Sequence, residues 1–245
     1  EVSNFVVDDE SLNVEVCVEQ EEACMRYCAV TLKGCEVKES PEWLREKLQT
    51  IGVRPINNVV DVTNYIMFAY GQPLHCFDAD MIKGQKVVVK TLPEGTSFVT
   101  LDGVEHKLSA QDLAICNAEE PMCIAGVFGG KGSGTYETTT NILLESAYFH
   151  PTWIRKNARR HGLNTDASFR FERGIDPDGQ LYALKRAAML IKELAGGTIS
   201  MQIKDVGSEK LEKTFSVNVT YSEINALIGK AILPEEVKGI VESLG

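Results

Sequence analysis

Between residues 86 and 145 six short apolar runs, KVVVKT, SFVTL, VEHKL, DLAIC, MCIAGV and NILLE, follow one another, separated by turn residues. Runs of this length, spaced by turns, read as strands. The Asp102-Gly103 pair between SFVTL and VEHKL is a strong hairpin signal, because both positions tolerate the positive φ that a tight two-residue turn requires. The middle of the chain is therefore expected to pair as short, largely antiparallel strands.

Helical periods lie on either side. Ser40 is placed to cap a helix whose first turn begins with Pro41, whose buried side is Trp43, Leu44, Leu48 and Ile51, and which ends at Gly52. A second helix is expected at about 56–70, closed by Gly71 and Pro73, and two more at about 151–161 and 177–195, the last ending at Gly196-Gly197. RYCAVTLK (26–33) reads as a strand, with another near 198–205. The polar stretch GSEKLEKT (207–214) reads as a linker. Beyond it FSVNV is expected as a strand, then two helices; about thirty residues are too few for a stable core of their own. The reading is an α+β fold: helices packed on a largely antiparallel, multi-stranded, β-sandwich-like core in residues 1–206, then the first part of a second domain in 207–245. The chain has no initiator Met and stops inside a helical pattern, as expected of a fragment of something longer.

Composition bounds function loosely. Hydrophobic residues make up 44% and charged residues 24%, as in ordinary globular proteins. No apolar run reaches ~18 residues and no secretory leader is present, so no membrane partner is expected. A net charge of −10 excludes a surface that grips nucleic acid all round, and leaves room for one basic patch. The seven cysteines are an odd number. Cys17, Cys24, Cys28 and Cys35 lack the close pairing of structural zinc sites, so free thiols in a reducing cytoplasm are expected and no metal site.

Four features bear on chemistry. AGVFGGKGSG (125–134) is not a Walker loop, since Ala125 replaces its first glycine and Gly132 its hydroxyl residue. Its glycines permit close approach of backbone amides to a ligand, and an ordinary strand-to-strand turn accounts for them equally well. The stretch 153–174 holds Arg155, Lys156, Arg159, Arg160, Arg170 and Arg173 against Asp166 and Glu172, an excess of four positive charges; it reads either as a solvated helix face or as an RNA-phosphate contact. Glu145 ends the apolar NILLE run, where a buried carboxyl needs a partner unless it faces water. Asn57, Asp61 and Asn64 form a polar stripe on an otherwise apolar helix, followed by His75. No G-x-S-x-G or H-E-x-x-H motif is present, so these residues alone name no reaction.

Taken together, RPINNVVDVTNYIMFAYGQPLHCFD, TLDGVEHKL, IAGVFGG and LLESAYFHPTWIRKNARRHGLNTDASFRFERGIDP closely resemble the β subunit of bacterial phenylalanyl-tRNA synthetases, from about residue 40 to the end. The resemblance implies an editing domain that hydrolyses tyrosine wrongly attached to phenylalanine tRNA, followed by the start of a small winged-helix-like domain. It implies that ATP and magnesium act on a partner α subunit of an α2β2 enzyme, so that this fragment carries the editing esterase and not the ligase site, with no cofactor of its own. The matching positions imply a pocket of Arg54, Thr63, Asn64, His75, Ala125, Gly126, Glu145, Thr165 and Ala167. Glu145, ionised, would accept from the tyrosine hydroxyl; the Gly126 amide region would stabilise the oxyanion; His75 and Asn64 would orient water or the terminal ribose. Arg155, Lys156, Arg159 and Arg160 would contact tRNA. The rival reading is a non-catalytic RNA-binding or scaffolding module for the α subunit, and a third is a freestanding editor.

Overall fold

The computed structural model describes residues 2–207, 209 and 216–244, so the linker expected at 207–214 falls almost wholly outside the described residues. The chain divides into two compact units, Glu1–Leu211 and Glu212–Gly245.

In chain order the first unit contains β1 (Glu15–Val18), β2 (Cys24–Lys33), α1 (Glu42–Thr50), α2 (Asn58–Tyr70), β3 (Leu74–Asp78), β4 (Lys86–Thr91), β5 (Thr96–Val99), β6 (Glu105–Leu108) and β7 (Leu113–Cys116). It continues with β8 (Pro121–Ile124), β9 (Phe128–Gly129), β10 (Asn141–Phe149), α3 (Pro151–His161), α4 (Asp166–Phe171), α5 (Gly179–Ala195), β11 (Thr198–Ile199) and β12 (Lys204–Val206). One sheet runs β11-β2-β10-β3, with β12 also on β2; the other runs β1-β4-β7-β8-β9. Every pairing is antiparallel except β1 on β4, and β5–β6 is the separate hairpin; its turn runs Thr100–Gly103, closed by Gly103 N–H to Thr100 O, and of the Asp102-Gly103 pair Gly103 alone takes a positive φ, +83.

The first sheet is covered on both faces, which explains why β2 and β10 are apolar almost throughout instead of alternating with polar residues. On one face Cys28, Val30, Leu32, Cys76, Ile142 and Leu144 pack with Leu44 and Leu48 of α1, Val59, Val62 and Ile66 of α2, and Leu184, Ala187 and Ile191 of α5. On the other, Tyr27, Ala29, Phe77, Leu143, Ala147 and Phe149 pack with Val87, Val89, Leu113, Ile115 and Ile124 of the second sheet. The sandwich expected from the sequence thus carries a third, helical layer.

Several local expectations change. Ser40 does not cap α1: Pro41 stands at that position, with no side-chain cap. Ser40 Oγ instead donates to Asp61 Oδ2 at 2.5 Å. Trp43 and Ile51 lie at the surface, Trp43 with its ring edge-to-face against Tyr65 at 5.8 Å, because this short helix rests on its neighbours through Leu44 and Leu48. Asn57 is the N-cap of α2 and accepts from Val59 N and Val60 N. The strand expected near 198–205 is split into β11 and β12, and the short α4, begun by a Thr165–Ser168 capping box, is not among the helices expected from the sequence. In the second unit residues 216–219 form no strand. Its helices are α6 (Tyr221–Ile228), with a Thr220–Glu223 capping box, and α7 (Pro234–Ser243).

Much of the polar stripe on α2 is therefore structural. Asp61 is fully buried, accepting from Ile56 N at 2.8 Å and from Ser40, and burial raises its carboxyl above the usual range. Asp61→Ala leaves both donors without their acceptor. A loss of about 1–3 kcal/mol is expected in urea unfolding, the range for orphaned buried groups, and an unchanged midpoint would refute this role.

Candidate active site

The register of the central sheet sets the site. Glu145 on β10 lies between Ala29 of β2 and His75 of β3. Two residues further along the same face are Leu143 and Ala147, both in the core between the sheets, so the Glu145 side chain points into the sandwich. There it meets the β8–β9 turn and the first turn of α4. His75, Cys123, Gly126, Gly129, Glu145 and Ala167 are among the residues that line a small cavity of about 60 Å³.

Glu145 is 5% exposed, and its carboxyl has one hydrogen bond among the described residues, from the Tyr27 hydroxyl to Oε2 at 3.2 Å. Burial pushes its pKa up to about 8, and the Tyr27 bond opposes that push. The group is therefore mostly a neutral acid at pH 7, not the carboxylate that the motif suggests. His75 packs its ring edge-to-face on Phe77 at 4.5 Å. Although the side chain is only half-buried, Nε2 is sealed and has no hydrogen-bond partner. Burial pushes its pKa down to about 4, so it is a neutral imidazole.

The opposite wall is backbone. Gly126 has φ +66, and a Cβ there would meet Phe149 and Phe171 at 3.0 Å and Ile154 at 3.1 Å. At Gly129 a Cβ would stand 3.0 Å from His75 Cε1. Both positions require glycine for close approach, the first also for its left-handed backbone.

Of the residues singled out in the sequence, His75, Gly126, Glu145 and Ala167 meet at this cavity. Thr165 stands just behind it, its Oγ1 donating to Val127 O at 3.0 Å and so fastening α4 to the turn. Ala125 is buried, with its N–H donating to Leu113 O, and does not line the cavity. Arg54, Thr63 and Asn64 do not line it either. Arg54 is exposed before α2, Thr63 donates back to Val60 O at 2.7 Å, and α2 covers the other face of the sheet. Tyr27 was missed by sequence reasoning; a tyrosine in so apolar a strand as RYCAVTLK is itself the signal, since a buried hydroxyl needs a partner. The glycine-rich turn from Gly130 to Ser133 borders a separate hollow of about 270 Å³ with Met81 and Phe98, which contains no buried ionisable side chain.

Arg155, Lys156 and Arg159 are exposed on α3. Arg160 is committed elsewhere: it pairs with the buried Asp112, which also receives His161 Nε2 at 2.7 Å and Ser109 N at 2.7 Å. Among the described residues no helix is long and apolar enough to cross a membrane, and no three His, Cys, Asp or Glu side chains gather as a metal site. All seven cysteines are free thiols.

Comparison with known proteins adds three findings. Residues 23–196 match the B3/4 domain family. The phenylalanine--tRNA ligase beta subunit of Bacteroides thetaiotaomicron is 65% identical over 243 residues, covering 99% of this chain and 30% of its own length. That of Porphyromonas gingivalis is 53% identical over 242 residues, covering 98% and 29%. The chain thus spans less than a third of these relatives. A crystal structure of an N-terminal fragment of the phenylalanyl-tRNA synthetase beta subunit from Pyrococcus horikoshii superposes with a TM-score of 0.53, covering 98% of this chain and 66% of that one. At 13% identity the likeness is one of fold alone.

Glu145 makes stability depend on pH. Unfolded, the acid ionises near its ordinary value of 4.5; folded, it keeps its proton up to about 8. Between those values the native state binds more protons, so this group lowers stability as pH rises, by at most about 1.4 kcal/mol per pH unit. Glu145→Gln is expected to flatten that slope in urea titrations at pH 5 to 8; parallel curves for the two proteins would contradict the assignment.

Proposed function

The chain belongs to the B3/4 domain family, and on that footing we propose that it is a segment of a phenylalanine--tRNA ligase beta subunit carrying an editing site for tyrosine mischarged onto phenylalanine tRNA. The observation that carries the reading is the buried Glu145 carboxyl in a small, partly open cavity, beside the sealed His75 nitrogen and the Gly126 turn. Tyrosine differs from phenylalanine by one hydroxyl. A site that buries a hydrogen-bonding group for that hydroxyl rejects the analogue lacking it, by roughly 10⁴-fold in favourable cases, because the buried group is left without its partner.

The reaction is ester hydrolysis. Water attacks the carbonyl carbon of the aminoacyl ester, charge develops on the carbonyl oxygen, and the ribose hydroxyl leaves with a proton. The ester is activated, so orientation and oxyanion stabilisation suffice. The backbone of the Gly126 turn is the candidate oxyanion site, and neutral His75 is a candidate acceptor for a water proton. Thr63 and Asn64 enter only if α2 contributes from outside the cavity, and Arg54 only from the exposed segment ahead of that helix. The cavity is small, so an aromatic ring would enter by parting its partly exposed walls, Leu74, Phe128 and Ala167. Activation of phenylalanine with ATP and magnesium belongs, in this reading, to an α subunit of an α2β2 enzyme acting in the cytoplasm. The exposed ridge of α3 favours a second reading, an RNA-binding or scaffolding module without catalysis.

Two tests separate these readings. Glu145→Ala in the assembled ligase is expected to reduce deacylation of tyrosyl-tRNA by at least tenfold while phenylalanine charging stays near wild type; equal deacylation sinks the editing reading. The ridge is best tested with Arg155→Glu and Arg159→Glu together, because reversing Arg160 would set two carboxylates against each other at buried Asp112. A raised KM for tRNA, with a weaker salt dependence, is expected; an unaltered KM counts against tRNA contact there.

A further inference from the structure

We propose that Tyr27 is a specificity-positioning residue of this cavity: its hydroxyl holds Glu145 Oε2 so that the other carboxyl oxygen is presented to the hydroxyl of a bound tyrosyl group. The inference rests on the editing reading and deepens it.

The geometry of the β2–β10 pair carries the argument. Tyr27 stands opposite Ala147, and Glu145 stands opposite Ala29. The two large side chains are thus diagonal neighbours on one face, each facing an alanine across the ladder. Diagonal positions in an antiparallel pair are ~7–8 Å apart at the backbone, within reach of an aromatic side chain. The paired alanines supply the room for the phenol to lean across, and Tyr27 Oη reaches Glu145 Oε2 at 3.2 Å.

Tyr27 is fully buried, so its hydroxyl has no solvent alternative. Glu145 has no second hydrogen bond among the described residues, and it lines the cavity. Each therefore satisfies the other, and the carboxyl has lost the freedom to present either oxygen. A tyrosyl ligand would bring a second phenol to the same acid. The first phenol belongs to the protein and fixes the acceptor before the second arrives, which reduces the ordering left for binding. The Tyr27 bond also draws the Glu145 pKa downward against burial, so removing it raises that pKa.

The test is Tyr27→Phe in the assembled ligase, with Glu145→Ala and the double variant alongside. The ring is kept, so melting temperature serves as a check on the core. Expected for Tyr27→Phe is a KM for tyrosyl-tRNA deacylation raised roughly tenfold, the size of one lost hydrogen bond, with kcat less affected. The rising limb of the pH profile assigned to Glu145 should move to higher pH, which a merely structural role would not produce. In the Glu145→Ala background the further change to Phe should have no additional effect on deacylation. A wild-type KM and pH profile, or a loss that adds in full to that of Glu145→Ala, overturns the role of Tyr27 alone. If wild type and Glu145→Ala deacylate equally, the editing reading falls and this inference falls with it.

Discussion

The rest of the structure depends on a sheet with no wet face. β2 and β10 are covered by helices on one side and by a second sheet on the other, so their buried polar atoms can look for partners only inside the protein, and Ser146 Oγ on β10 has none among the described residues. Glu145 is the one carboxyl on β10; of its diagonal neighbours on β2, Thr31 gives its hydroxyl to Leu12 O, and Tyr27 alone bonds the acid, with His75 beside it on β3. The chemical character of the cavity follows from that shortage: an acid that keeps its proton beside an imidazole that does not take one.

A second buried acid does different work. Asp112, at the head of β7, draws Arg160, His161 and the Ser109 amide onto one carboxylate and so moors the C-terminal end of α3 to the second sheet. From the same helix, Ile154 reaches inward to the Gly126 turn while Arg155 and Arg159 face outward. One rigid element therefore supports the cavity wall and displays the positive ridge. This explains why a basic cluster that looks uniform in sequence divides into anchoring and exposed members.

Much of the architecture was legible from local signals. Strand spacing, the Asp102-Gly103 turn and the glycines after α2 and α5 report backbone preferences that act within a few residues. The caps were legible only where chemistry was local: Asn57 bonds its own helix, whereas Ser40 is drawn away by Asp61, twenty-one positions on. The site was partly legible. His75, Gly126, Glu145 and Ala167 stand in motifs whose resemblance is specific, yet the protonation of Glu145 comes from burial, which no motif displays. Tyr27 lay hidden because its partner is 118 residues away and is set by register. Arg54, Thr63 and Asn64 carry the same motif-level claim as His75, yet α2 stands Thr63 and Asn64 on the other side of the sheet and Arg54 is exposed ahead of that helix.

The turn that faces Glu145 has one further consequence, for how such a site changes over evolutionary time. Where Gly126 and Gly129 form the wall there is no side chain to exchange, and any side chain added strikes Phe149, Phe171 or His75. A pocket walled this way is hard to retune gradually from that side. Variation in what it accepts is channelled to the opposite bank, where Glu145 and its diagonal partner Tyr27 offer few viable alternatives, and to Ala167, where added bulk only narrows the space. The cavity is thus conservative by construction: backbone closes off one set of mutational paths and a doubly covered sheet closes off the other.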